Sequence, residues 1–153
     1  MTFSGPTASE FAVRVILAGV VVAVALGLGP PATAETLPGP VPARVLRVVD
    51  GDTLLVEIKI WFGQTVIEHV RIAGIDAPEM KGRCPSEIEA ARRARQYLAG
   101  LVSGAAVELR DVRREKYGRA LAGLTVDGID VSGRMIAAGY ARAYAGGKRL
   151  SWC

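Results

Sequence analysis

ARVLRVVDGDTLLVEIKIWFGQTVIEHVRIA, residues 43 to 73, is the stretch whose reading decides the fold. Its β-branched and aliphatic residues gather into three runs, Arg44 to Val49, Thr53 to Trp61 and Gln64 to Ala73. Such runs favour strands, because branched side chains pack well on a pleated surface. Asp50-Gly51-Asp52 punctuates the first pair of runs and Phe62-Gly63-Gln64 the second. Connections this short join antiparallel neighbours, so the three runs predict a meander.

Downstream of Ile75 the texture becomes helical. Pro85-Ser86-Glu87 is a start signal, and Ile88, Ala91, Arg95, Leu98 and Leu101 stack along one side, which predicts a helix from about Ser86 to Leu101 that stops before Gly104. Arg92 and Arg93 are read as a solvated face. Ala105 to Val112 and Ala120 to Val126 read as two more strands, separated by the polar turn Arg113 to Arg119. A last short helix covers about Val131 to Ala138 and ends at Gly139, where glycine most easily takes a left-handed cap. Residues after Tyr140 read as irregular. The expected class is a β-rich α+β fold: a five-stranded OB-type barrel with one helix after strand 3 and a short C-terminal helix. Periodicity alone does not choose that closure; it is compatible with it.

Upstream, Pro38, Gly39, Pro40 and Pro42 make residues 35 to 42 read as an extended linker. Val15 to Leu28 is an unbroken apolar run, shorter than the roughly 20 residues a membrane-spanning helix needs. It is followed by Pro30-Pro31 and Ala32-Thr33-Ala34. This predicts an export signal over residues 1 to 34, cleaved after Ala34. The alternative is an uncleaved membrane anchor, since Arg14 is the only cation of the leading region and Glu10 partly offsets it. The predicted domain is then residues 43 to 153.

The whole chain carries 19 basic and 15 acidic residues and a net charge of +4; removing residues 1 to 34 takes one of each and leaves the balance unchanged. A modest basic surplus favours a polyanionic partner and excludes little else. The two cysteines, Cys84 and Cys153, both lie in the predicted exported part. An oxidising compartment favours a disulfide between them, the other possibility being two unpaired thiols. With a single histidine, His69, read as solvent-facing on the third strand, a catalytic imidazole is not expected, and no motif suggests zinc.

Four fragments carry candidate chemistry. Asp50-Gly51-Asp52-Thr53 puts two acids at the mouth of a strand pair, which in isolation reads as a turn. Ile75-Asp76-Ala77-Pro78-Glu79 brings two more carboxylates to the end of the third strand. Together they matter, because a hard divalent cation takes several oxygen ligands and acids from separate strand ends can converge on one ion. Arg71 lies a few residues before Asp76, either a charge-balancing partner or a functional guanidinium. Lys116-Tyr117-Gly118-Arg119 occupies a turn from which a second guanidinium could face the same pocket.

In this order the four fragments resemble the active-site signature of the staphylococcal nuclease (thermonuclease) family, over roughly Ala43 to Tyr144. The resemblance implies a calcium-dependent phosphodiesterase acting on DNA and RNA with little sequence specificity. It implies Ca2+ ligands at Asp52, Asp76 and the main-chain carbonyl of Ala77, where thermonuclease itself has threonine; a main-chain ligand should survive that change. It assigns Glu79 to orient or deprotonate the attacking water, Arg71 and Arg119 to stabilise the transition state, and Lys116 and Tyr117 to a terminal phosphate of the substrate. No stable protein partner is implied, and a monomer is expected. Two departures stand out: the stretch between Glu79 and the first helix is shorter than the family's flexible loop, and no third helix follows before Cys153. A Cys84 to Cys153 bridge is therefore expected to fasten the tail beside the loop near Glu79. Tyr144 and Trp152 are read as core packing or as platforms for bases. The competing readings are a catalytically weak or inactive nucleic-acid-binding module of the same fold and a module for another polyanion.

Overall fold

Alternation of branched residues turns the predicted meander into one wall of a barrel. The structure, a computed structural model, describes Met1 and residues 35 to 115 and 117 to 153. The predicted export signal and Lys116 lie outside the described residues. In chain order the elements are β1 (Val41–Val48), β2 (Thr53–Trp61), β3 (Gln64–Ile72), β4 (Ile75–Asp76), α1 (Pro85–Val102), β5 (Val107–Arg114), β6 (Ala120–Val126), β7 (Ile129–Asp130), α2 (Val131–Ala137) and β8 (Arg142–Ala143).

Strands β1, β2 and β3 pair antiparallel, with Val45 opposite Val56 and Leu54 opposite Val70. Strand β5 returns to the free side of β1, and β6 pairs antiparallel with β5. Closure comes from β6 running parallel to β3, with Val70 opposite Ala120 and Ile72 opposite Ala122. Five strands thereby form a closed mixed barrel with two helices, an OB-type α+β fold of the expected class. Closure satisfies backbone groups that an open edge would leave for other chains.

Burial shows how the pattern fills the barrel. Along β6, Ala120, Ala122, Leu124 and Val126 are buried while the residues between them are half-buried, the period-2 signature of a strand with one inner face. Leu54, Val56, Val70, Ile72, Leu109 and Leu124 complete the centre of the core. Met135 and Val131 reach it from α2. Asp130 caps that helix by accepting the Gly133 N–H at 2.7 Å.

Three expectations need correction. Helix α1 buries Glu87, Ala91, Ala94, Leu98 and Val102, whereas Arg95 is exposed and Ile88 and Leu101 are only half-buried. The buried stripe keeps Ala91 and Leu98 but takes Glu87, Ala94 and Val102 in place of Ile88, Arg95 and Leu101, and Glu87 turns inward to bond a loop, as described below. The predicted linker 35 to 42 is tied down: Leu37 exchanges backbone hydrogen bonds with Val112, and β1 already begins at Val41. Residues after Tyr140 are not wholly irregular, since Arg142 and Ala143 pair with Asp76 and Ile75. A two-residue strand has no periodicity to read.

Gly51, between the two acids of the first fragment, sits at a close approach of three segments. A Cβ there would lie 2.8 Å from the Cβ atoms of both Ala77 and Ala94. Gly51→Ala is therefore expected to destabilise by about 1 to 3 kcal/mol, the usual range for overpacking. Denaturant unfolding checks this; a neutral result would mean that α1 can retreat freely from the site.

Candidate active site

The meander's register brings the candidate residues to one end of the barrel. Thr53 lies opposite Arg71, so Asp52, just before β2, stands beside the guanidinium of β3. After the turn through Gly74, β4 carries Asp76 back to the same end. Asp52, Thr53, Arg71 and Asp76 are all buried. Charges in such a place are costly unless paired, and these are paired with one another.

Arg71 is the hub. Its Nη1 lies 2.6 Å from Asp52 Oδ2, its Nη2 donates to the Ile75 carbonyl at 3.0 Å, and the same Nη2 lies 3.9 Å from Asp76 Oδ1. Asp52 is oriented further by Thr53 Oγ1, which donates to Oδ1 at 3.0 Å, and by the Ala77 N–H, which donates to Oδ2 at 3.1 Å. The acids of the two strand ends thus converge, and Ala77 is drawn against them by its backbone. Asp50 belongs to the same turn, and the Asp52 N–H donates to its Oδ1 at 3.1 Å. Burial first, and the neighbouring Asp52 charge second, push the Asp50 carboxyl up to about 6.

The second guanidinium at this cluster is that of Arg149, whereas the sequence pointed to Arg119 for one. Arg149 places Nε 2.6 Å from Asp76 Oδ1, Nη1 2.5 Å from Glu79 Oε1 and Nη2 3.7 Å from Asp52 Oδ2. One side chain therefore spans all three candidate carboxylates. Its partial burial would lower its pKa, but the three acids outweigh that and hold the guanidinium above its ordinary value. Asp76 Oδ1 is nevertheless a buried oxygen with no hydrogen-bond partner among the described residues; its cations approach without forming one. The carboxylates of Asp52 and Asp76 are hard oxygen donors of the type a divalent cation takes.

The tail that delivers Arg149 is anchored at several points. Tyr144 N–H donates to the Gly74 carbonyl at 2.9 Å, continuing the β4–β8 pairing. Trp152 Nε1 donates to Asp76 Oδ2 at 3.0 Å, and the Arg142 guanidinium stacks 3.7 Å over its ring. Trp152 is thus neither core filler nor open platform: it holds an acid of the cluster. Cys153 is joined to Cys84 at the start of α1, with Cα atoms 6.1 Å apart. The tail therefore lies beside Glu79, where the proposed fastening would put it. Beneath it, the Glu87 carboxylate accepts the Arg83 N–H at 2.9 Å and the Glu79 N–H at 3.4 Å, fixing the loop between β4 and α1. Cys84, Glu87 and Cys153 come together closely enough to suggest a metal site, but the sulfurs are spent in their mutual bond. The result is a cleft of about 450 Å³ whose walls include Asp76, Ala77, Glu79, Arg149 and Trp152.

Not every candidate joins this cluster. Arg119, in the turn between β5 and β6, is half-exposed and donates through Nε to Glu115. Tyr117 is exposed in the same turn. His69 is exposed on β3, as expected. Trp152 was singled out for packing or base stacking rather than as a donor to Asp76. Arg149, which was missed, left a single cue in the sequence, a terminal cysteine whose partner lies at the head of the helix, and Glu87 left none, because acids in a first helical turn are ordinary.

A small OB-type barrel whose strand ends gather carboxylates around guanidiniums defines the class. A family model described as Staphylococcal nuclease homologue matches residues 69–150, and the chain belongs to that family. No curated protein matches the chain.

Proposed function

We propose that the chain is an exported, Ca2+-dependent phosphodiesterase that cleaves DNA and RNA internally with little sequence preference. The observation that carries this reading is the convergence of Asp52 and Asp76 on the same two guanidiniums, at 2.6 to 3.9 Å. Two carboxylates that face the same guanidiniums are the arrangement from which a shared ion can be held. In this reading Asp52, Asp76 and the Ala77 carbonyl hold Ca2+, which when bound supplies Lewis-acid charge to the scissile phosphate.

The chain's own residues do the rest. Glu79 projects at the rim of the cleft, its side chain about half exposed, where a carboxylate can accept a hydrogen bond from water and orient it for attack. Glu79 as water positioner is the core of the assignment, with proton acceptance as its extension. Arg71 and Arg119 donate to the equatorial oxygens as negative charge builds there, a task for which a planar fork is better suited than a flexible ammonium. Tyr117 lies in the turn that carries Arg119, and Tyr117 and Lys116 are assigned to a terminal phosphate of the substrate. Contacts of this kind address phosphate and carry no base information, which accounts for broad specificity. Export is supported by the apolar N-terminal run of the sequence and by the Cys84–Cys153 pairing, which suits an oxidising compartment.

The test is cleavage of plasmid DNA and of RNA by the chain, with Ca2+ or with chelator, alongside Arg119→Ala. Cleavage is expected only with the ion and is expected to fall about a hundredfold or more in the variant, the typical loss of a transition-state donor. Nucleic-acid binding without cleavage by the unaltered chain would sink the enzyme reading and leave a binding module.

A further inference from the structure

Arg149 rests on Asp76 Oδ1 and Glu79 Oε1 and lies near Asp52 Oδ2, so both carboxylates that would hold an ion, Asp52 and Asp76, already face its guanidinium. A divalent ion seated on Asp76 where the Arg149 guanidinium lies would meet that guanidinium at contact distance, and the two would repel in a partly buried site where screening is weak. Arg71 is different, since it also holds the Ile75 carbonyl and is buried on a barrel strand, which leaves it nowhere to go. Arg149 sits on a short segment tied by the Tyr144 bond to Gly74 at one end and by Cys153 at the other. Within that segment Gly146 and Gly147 take φ of 103° and 95°, left-handed conformations that side chains resist, so the loop turns sharply just before the arginine. Its side chain remains about one-third exposed toward the cleft.

We propose that Arg149 is an exchangeable counter-cation and a phosphate ligand. In the ion-free chain it pairs with Asp76 and Glu79 and lies beside Asp52. When a divalent cation takes the Asp52 and Asp76 oxygens, the guanidinium is displaced by a short distance and pairs with the phosphate of the bound substrate. The tether matters for both halves: it keeps the guanidinium at the rim after displacement, so that a phosphate arriving there meets a donor fork already in place. The substrate class is that of the phosphodiesterase reading above, on which this inference rests.

Calcium titration by calorimetry of the full chain and of Arg149→Gln, without nucleic acid, reads the first half directly. The variant is expected to bind Ca2+ about tenfold more tightly, the gain on removing an internal competitor that occupies the site about nine-tenths of the time. With Ca2+ saturating, binding of a phosphorothioate-linked oligonucleotide reads the second half; Arg149→Gln is expected to weaken it about tenfold or more, as loss of a hydrogen bond to a charged group does. Arg149→Lys should restore part of the competition with Ca2+ and less of the oligonucleotide affinity, since a point charge lacks the fork. Unchanged or weaker Ca2+ binding in Arg149→Gln, where the parent chain binds the ion, overturns the exchange. Tighter Ca2+ binding with no loss of oligonucleotide affinity overturns the phosphate role. If neither protein takes up Ca2+, the cation-site reading itself falls, and this proposal with it.

Discussion

Arg71→Ala is expected to be the most destabilising single change at the cluster, by about 3 to 5 kcal/mol, the range for breaking a buried ion pair from one side. The physical reason is what remains behind. Asp52 is almost fully buried, and its Oδ2 would keep only the Ala77 N–H and a distant Arg149 as compensation. The Ile75 carbonyl would lose its donor as well, loosening β4 and with it Asp76. Denaturant unfolding in chelator measures the loss. Because the stranded carboxylates are the candidate ion ligands, added Ca2+ should recover part of that stability, and it should do so more in the variant than in the parent, by linkage of binding to folding. Cleavage should stay depressed even with Ca2+ present, since the ion cannot replace a transition-state donor. A loss below about 1 kcal/mol, the scale of an exposed pair, would show that Asp52 is not held by Arg71.

Replacing both cysteines, Cys84→Ser with Cys153→Ser, is expected to have an effect of similar size by another route. The bridge closes a separation of 69 residues, for which chain-entropy reasoning gives about 4 kcal/mol of stabilisation through the unfolded state. The native state should change too, because the bridge fixes the tail that brings Trp152 to Asp76 and Arg149 to Glu79. Thermal unfolding of the oxidised chain, the reduced chain and the double variant separates these contributions. Intact-mass measurement after alkylation, with and without reductant, counts the thiols; two alkylated cysteines without reductant would reject the bridge. If the double variant unfolds at the same denaturant concentration as the oxidised parent, the tail is held by its hydrogen bonds alone.

The two predictions rest on features that differ in how far they could be read from the chain. The run of β6 was legible because one face of the strand is buried, which writes alternation into the sequence; β2 and β3 were legible from their branched and aliphatic residues. The helix was legible from Pro85 onward, though its buried side was misplaced: Glu87 looks like a solvated acid, and only the loop from Glu79 to Arg83 supplies the backbone donors that make its burial tolerable. Short elements such as β4 and β8 hold too few residues for any period, so they were invisible. Asp52, Arg71 and Asp76 were recognisable as a set through the resemblance of four ordered fragments, and they stand at the ends of consecutive strands, which brings them near. Arg149 was not recognisable, because a cation in a glycine-rich tail carries no local mark of where the tail goes.

Local pattern along the chain was sufficient to assign strands, helices and the acidic strand ends, since each of these depends on neighbours within a few residues. The parallel meeting of β3 with β6, and the arrival of Arg149 and Trp152 at acids 70 and 76 positions earlier, came only with folding. Such contacts are governed by barrel closure and by a crosslink spanning most of the domain, and the free energy that selects them belongs to the assembled whole rather than to any one segment.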